Sequence, residues 1–226
     1  MTDFDLVIFD CDGVLIDSEL LSVEADLACL AEEGIVDLSA EEILERYTGI
    51  SMAGMLADLE TRYGRSFPDF AARHRQCLTA LFESSLQPIR GIAELLAALD
   101  CKLCVASSST PERLRLALTL VGLFDRLHPH IFSSTEVACG KPAPDLFLHA
   151  ATQMGVEPQR CVVIEDSVPG VIAAVAAGMT AIGFTGGGHC RPGHDSRLYA
   201  EGAALVIGDM AQLPAALMRL NPRAGA

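Results

Sequence analysis

Tryptophan is absent from the chain, and lysine occurs only at positions 102 and 141. Basic residues number 16 against 30 acidic ones, giving a formal net charge of −14. A chain this short of positive charge lacks the cationic face that nucleic acids and anionic membranes require, so both partner classes are excluded. A small anion could be held only by local cations inside a pocket. Long apolar runs are also lacking. None approaches a bilayer span, and the first, Leu6 to Phe9, is too short for a secretory signal and has no basic lead. The expected location is therefore cytoplasmic. In that reducing compartment the eight cysteines (11, 29, 77, 101, 104, 139, 161 and 190) are read as mostly buried, apolar residues. Cys101-Lys102-Leu103-Cys104 has the CxxC spacing of redox and zinc sites. It falls in a predicted strand, where residues three apart face opposite sides, and is read as two core cysteines.

Half of the residues are hydrophobic and a fifth are charged, enough to bury a sizeable core. Beyond residue 86, short apolar runs alternate with helical patterns, which predicts an α/β fold with a Rossmann-like parallel sheet covered on both faces. The predicted strands are Leu6–Phe9, Leu103–Ser107, His130–Ser133, Cys161–Glu165, Ala181–Phe184 and Ala204–Ile207. The predicted helices between them are Ile92–Leu99, Pro111–Val121, Asp145–Met154, Val171–Ala177 and Met210–Leu220. Thr110 is the expected cap of the second, with Pro111 at its first position. Residues 18–85 carry helical patterns and no convincing strand. Ser39 and Glu42 form a capping box for Glu41–Tyr47. Met52, Met55, Leu56 and Leu59 share one helical face and read as core filler. Asp69 is an expected cap for a helix through Phe82, and the tail Asn221–Ala226 is expected to fray. The chain thus divides into a discontinuous core, 1–17 and 86–226, and an inserted α-helical domain, 18–85.

In open parallel sheets, ligands bind beyond the carboxyl ends of the strands. Four of the predicted strands are followed by polar groups there: Asp10 and Asp12; Ser107 and Ser108; Lys141 after a loop; Glu165 and Asp166. Phosphoryl chemistry uses all of them. Asp10 is placed to attack phosphorus and form an aspartyl phosphate. Mg²⁺ suits oxygen ligands, here Asp10, Asp166 and nearby Glu165, with the backbone carbonyl of Asp12 as a further ligand. The Asp12 side chain is then free to act as general acid and base, which calls for a raised pKa or a timed movement. Gly13 leaves room for phosphate, Ser107 and Ser108 lie before a helix N-terminus, and Lys141 offsets transition-state charge. Taken singly, DxDG is a turn, the serine run a cap and Lys-Pro a solvated loop. Their conjunction at successive strand ends is what points to catalysis.

These segments resemble the haloacid dehalogenase-like superfamily. Asp10-Cys11-Asp12-Gly13-Val14, Ser107, Lys141 and Glu165-Asp166 are similar to its four motifs, and the helical insertion resembles the cap of its β-phosphoglucomutase and phosphoglycolate phosphatase branch. The overall likeness extends to bacterial sugar-phosphate phosphatases of the 6-phosphogluconate type. The resemblance implies a Mg²⁺-dependent phosphatase for a small phosphorylated sugar, sugar acid or polyol, working through an aspartyl-phosphate intermediate. It also implies a closing cap, whose Arg46, Ser51, Arg73 and Arg75 are candidates for substrate choice. Dehalogenases do not need the second Asp or the Glu-Asp pair. A phosphonatase needs a cap lysine, and residues 18–85 contain none.

A phosphosugar mutase is the rival. Around Thr48-Gly49-Ile50-Ser51 the cap is similar to that of mutases, but Met52 stands where they carry an arginine. Glu19-Leu20-Leu21-Ser22 also lacks their histidine. A non-catalytic binding protein on the same fold is a further alternative. The stretch from Gly186 to Asp195, with His189, Cys190 and His194, reads as a rim loop or as a second metal site. The expected assembly is a monomer or weak homodimer.

Overall fold

The computed structural model describes residues 4–47 and 50–220. Thr48, Gly49 and the tail from Asn221 lie outside the described residues. Six strands form one all-parallel sheet in the order β3-β2-β1-β4-β5-β6. They are β1 (Leu6–Phe9), β2 (Lys102–Ser107), β3 (Ile131–Ser133), β4 (Cys161–Glu165), β5 (Thr180–Phe184) and β6 (Leu205–Ile207). Each boundary lies within one residue of the sequence reading. Short apolar runs closed by polar residues leave the ladder little freedom to slide.

Alternate residues along each strand feed opposite faces, as strand geometry requires. Val7, Phe9, Val162 and Ile164 enter one core cluster; Leu6, Ile8, Cys161 and Val163 enter the other. Cys101 packs against the first cluster and Cys104 lies in the second, as read from their spacing. All eight cysteines are free; Cys139 is exposed.

The helical unit between β1 and the rest of the sheet comprises α1 (Glu19–Glu32), α2 (Ala40–Tyr47), α3 (Met52–Tyr63) and α4 (Phe70–Ser85). It has its own core around Leu30, Ile43, Met55, Leu59 and Phe70. The far end of α4 also joins the sheet cluster through Leu78 and Phe82. The Ser39–Glu42 capping box is present: Glu42 accepts from Ser39 N at 2.9 Å, and Ser39 Oγ accepts from Glu42 N at 3.2 Å. Asp69, in contrast, makes no side-chain capping bond to α4.

The remaining helices are α5 (Ile92–Ala98), α6 (Pro111–Leu120), α7 (Phe124–Leu127), α8 (Asp145–Met154), α9 (Val168–Ala176), α10 (His194–Ala200) and α11 (Leu213–Arg219). Helix α9 starts three residues before its expected position, because Ser167 Oγ caps it from Gly170 N at 3.1 Å. The expected helix from Met210 begins as a 3₁₀ turn over Met210–Gln212. The short α7 and α10 were not anticipated. No described helix is long and apolar enough to cross a membrane.

Candidate active site

The sheet reverses its winding at β1, whose neighbours are β2 on one side and β4 on the other. The carboxyl end of β1 is therefore the switch point where an open α/β sheet leaves a crevice. Asp10 leaves the strand there, its N–H donating to Ile164 O at 3.0 Å. The chain then folds into a tight turn in which Cys11 O accepts from the N–H groups of Leu15 and Ile16. Gly13 makes that turn possible with φ +74. A Cβ on Gly13 would also lie 1.9 Å from Asp166 Oδ2. The space was expected to admit phosphate; in the structure it admits the Asp166 carboxylate.

A cavity of about 710 Å³ lies over these strand ends, walled by the sheet below and the helical unit above. Asp10, Asp12, Ser107, Ser108, Lys141 and Asp166 all line it. Lys141 is buried with its Nζ donating to Asp10 Oδ1 at 2.7 Å and to Glu165 Oε1 at 2.6 Å. Burial alone would favour a neutral amine, but the two carboxylates override it and hold the pKa well above the usual lysine value.

Asp10, Glu165 and Asp166 bring carboxylate oxygens within 4.8 Å of one another. Burial raises the Asp10 pKa well above the ordinary carboxylate range; Lys141 opposes this, while Glu165 and Asp166 add to it. Asp166 is raised in the same way, first by burial and then by Glu165. One ammonium does not balance three buried carboxylates, and Asp166 Oδ2 is buried with no hydrogen bond, only His189 Nε2 lying 3.0 Å away. All-oxygen donors, excess negative charge and an orphaned oxygen fit a hard divalent cation, so this cluster could hold a metal. Glu165 differs from the other two. Its second oxygen accepts from Ser167 N and Oγ at 2.9 Å, and its carboxylate fills the space that a Cβ on Gly170 would need.

Asp12 points elsewhere. Its carboxylate accepts from Ser18 Oγ at 2.5 Å, Ser109 Oγ at 2.7 Å and Arg113 Nη2 at 2.7 Å. Burial would raise its pKa, but Arg113 and the two hydroxyls outweigh it, and the pKa is lowered. Of the two routes expected, a raised value or a timed movement, the first is not what the resting site shows. Arg113 was missed because an arginine in the first turn of a surface helix reads as solvated. Only the fold reveals that α6 starts beside the β1 turn. Arg113 Nη2 also donates to Ser22 Oγ of α1 at 3.3 Å, so one guanidinium links the sheet to the helical unit. Ser107 Oγ is buried and accepts from Ser109 N at 3.1 Å, while Ser108 O accepts from Ser134 Oγ at 3.1 Å.

The helical unit contributes Ser51 and Arg75 to the cavity lining, but not Arg46 or Arg73. Arg46 is paired with Asp58 at 3.0 Å, and Arg73 with Glu32 at 3.2 Å and with Glu33. Those acidic partners belong to the helical unit itself, and neither guanidinium lines the cavity. Ser51 Oγ accepts from Gly54 N at 3.2 Å as the cap of α3. Two lining residues went unread. His74 Nε2 and Asp26 Oδ1 lie 3.0 Å apart, both buried in the ceiling and neither hydrogen-bonded. A buried histidine on a helix face carries no sequence signal of its partner.

Glu19, at the start of α1, also lines the cavity. Burial, with Asp12 and Asp166 adding repulsion, pushes its pKa up to about 8. An acid whose folded pKa is raised lends stability that is full below its unfolded pKa and lost as pH rises through 8. Metal-free Glu19→Gln is expected to melt several degrees above the parent at pH 9, the gap closing towards pH 5. Thermal melts across that range check it; a constant gap would contradict it.

A family profile described as haloacid dehalogenase-like hydrolase matches residues 4–178. The 6-phosphogluconate phosphatase of Escherichia coli K12 is 30% identical over 194 residues, covering 85% of this chain and 87% of that protein. Hexitol phosphatase B of the same strain is 34% identical over 184 residues, covering 77% and 81%. A crystal structure of a haloacid dehalogenase-like protein of unknown function from Agrobacterium tumefaciens C58 superposes with a TM-score of 0.84. It is 40% identical and covers 96% of this chain and 99% of its own. With the profile spanning most of the chain and the carboxylate–lysine cluster at the switch point, the chain belongs to the haloacid dehalogenase-like hydrolase family.

Proposed function

We propose that this protein is a Mg²⁺-dependent phosphatase that hydrolyses a small phosphorylated sugar, sugar acid or polyol. The observation that carries the reading is the division of labour between Asp10 and Asp12. Asp10 sits with Lys141 and Asp166 beneath the cavity, while Asp12 is held apart by Arg113, Ser18 and Ser109. Residues 18–85 serve as a cap over a core made of 1–17 and 86–226.

An Asp10 carboxylate oxygen attacks phosphorus, and the ester P–O bond breaks as the aspartyl phosphate forms. Asp12 gives its proton to the departing alkoxide. It then takes a proton from water, whose oxygen attacks the phosphoryl group and returns Asp10 as a free carboxylate. Asp10, Asp166 and the Asp12 carbonyl would hold Mg²⁺, which when bound would supply the positive charge that lets two anions approach. Lys141 and the Ser107 hydroxyl bind the phosphoryl oxygens. Glu165, with both oxygens already engaged, fixes Lys141 in place.

Asp12 is poised as a base while Arg113 touches it, and must shed that contact to carry a proton. Because Arg113 also bonds Ser22 of α1, movement of the cap shifts Arg113 and thereby sets the protonation of Asp12. Arg113→Ala is expected to lower kcat by roughly 10²-fold with little change in KM. Loss of the guanidinium raises the Asp12 pKa, so the acidic limb of the pH–rate profile moves to higher pH. An unshifted limb would contradict the coupling.

The ceiling favours hydrolysis over phosphoryl shuttling. Met52 and Met55 line it, and Ser22, in the segment where mutases carry a histidine, is engaged by Arg113. Met52 stands where mutases carry the arginine that grips a second phosphate, while the buried His74–Asp26 pair offers polar atoms to sugar hydroxyls. A panel of phosphorylated sugars, sugar acids and polyols, assayed for phosphate release with and without Mg²⁺, tests the function. Mg²⁺-dependent release from at least one class is expected. Its absence from all of them, or interconversion of phosphosugars instead, would overturn the reading.

A further inference from the structure

The loop after β5 carries a second group of donors that the phosphatase reading leaves unused. His189, Cys190 and His194 bring ligand atoms within 4.8 Å of one another. Their chemistry differs from that of the carboxylate cluster: two imidazoles and a thiol prefer a softer ion than Mg²⁺. His189 is buried, and its Nδ1 has no hydrogen-bond partner. Its Nε2 lies 3.5 Å from Cys190 Sγ and 3.0 Å from Asp166 Oδ2. Bonds of about 2.0–2.3 Å from a tetrahedral zinc ion to nitrogen and sulfur place neighbouring ligand atoms about 3.5 Å apart. The His189–Cys190 separation already has that value.

His194 is arranged as a zinc-ligating histidine is. Its Nε2–H donates to the Asp166 backbone carbonyl at 2.5 Å, which fixes the tautomer and leaves Nδ1 with a lone pair. The loop is itself anchored, since Gly188 N donates to Asp17 Oδ1 at 2.9 Å. Asp166 Oδ2 lies 3.0 Å from His189 Nε2, so this three-donor group touches the carboxylate cluster.

We propose that His189, Cys190 and His194 form a Zn²⁺ site beside the catalytic cluster, and that its occupation inhibits the enzyme by drawing on Asp166. Binding deprotonates the Cys190 thiol, the proton passing to solvent, with no change of oxidation state. The shared carboxylate is what connects the two sites: an oxygen given to zinc is withdrawn from the hard cation and from the phosphoryl group. The zinc site stands on its own donors; only the inhibition rests on the phosphatase reading.

The test uses Co²⁺ as a spectroscopic probe of the whole protein, with Mg²⁺ saturating so that the carboxylate cluster is filled. The expected result is a near-ultraviolet thiolate-to-cobalt charge-transfer band at one equivalent, lost in Cys190→Ala and retained in Cys139→Ala, the exposed cysteine. No band in the parent, or a band that survives Cys190→Ala, would overturn the site. Equal melting temperatures of the metal-free variants exclude misfolding as the cause of a loss. In the second arm, Zn²⁺ should inhibit Mg²⁺-supported phosphate release roughly tenfold or more less potently in Cys190→Ala than in the parent. Equal potency would overturn the inhibitory role while leaving the cobalt result intact. A chain that released no phosphate would still answer the binding question by its spectrum.

Discussion

Asp10→Asn is expected to lose phosphate release by about 10⁴-fold or more while keeping its fold. An amide of nearly the same shape cannot supply the attacking oxygen, and no described carboxylate takes the same place. Glu165 is spent on Lys141 and Ser167, and Asp12 is tied to Arg113. Stability should move little. The substitution removes the charge repelled by Glu165 and Asp166, and Lys141 keeps Glu165 as partner. Rate assays beside a thermal melt give both readings together. Residual activity within tenfold of the parent would mean that Asp10 only positions substrate.

Lys141→Ala should do the opposite, harming stability and rate together. The Lys141 side chain is 2% exposed and is the one cation paired with Asp10 and Glu165 among the described residues. Removing one partner of a buried ion pair costs about 3–5 kcal/mol, because the remaining charges stay buried and unpaired. For a chain of this length that lowers Tm by on the order of 10 °C. Mg²⁺ should recover part of the loss, since it neutralises the same carboxylates. Turnover should fall by roughly 10³-fold from loss of electrostatic stabilisation at the phosphoryl oxygens. Melts with and without Mg²⁺ check the first part. A Tm within two or three degrees of the parent's would show that the carboxylates shed their charge on their own.

These expectations rest on residues that could be picked out before any coordinates were known. The reason lies in where the polar groups fall. β1 is four apolar residues and β4 four closed by Glu165, so the carboxylates that follow stand out against runs that must be buried on both faces. The parallel sheet then forces those ends together, which is why Asp10, Ser107, Lys141 and Asp166 converge although far apart in sequence.

Arg113 was hidden for a complementary reason. It follows a correctly read cap, Thr110–Pro111, in a helix whose surface would tolerate any arginine. Its partner Asp12 lies 101 residues away. The pairing of two arginines of the helical unit was hidden in the same way. Arg46 and Arg73 looked available because Asp58, Glu32 and Glu33 could be matched to them only in three dimensions. Helix α10 was missed because Gly193 and His194 read as a continuing loop. Its single buried residue, Leu198, gives no periodicity to detect.

The central claim is that Asp10 itself carries the phosphoryl group between substrate and water. Rapid acid quenching during turnover, followed by mass spectrometry of the peptide spanning Asp10, tests it directly. One phosphoryl mass on Asp10 is the expected result. Steady turnover with no phosphorylated peptide, or with the phosphoryl group on another residue, would contradict it.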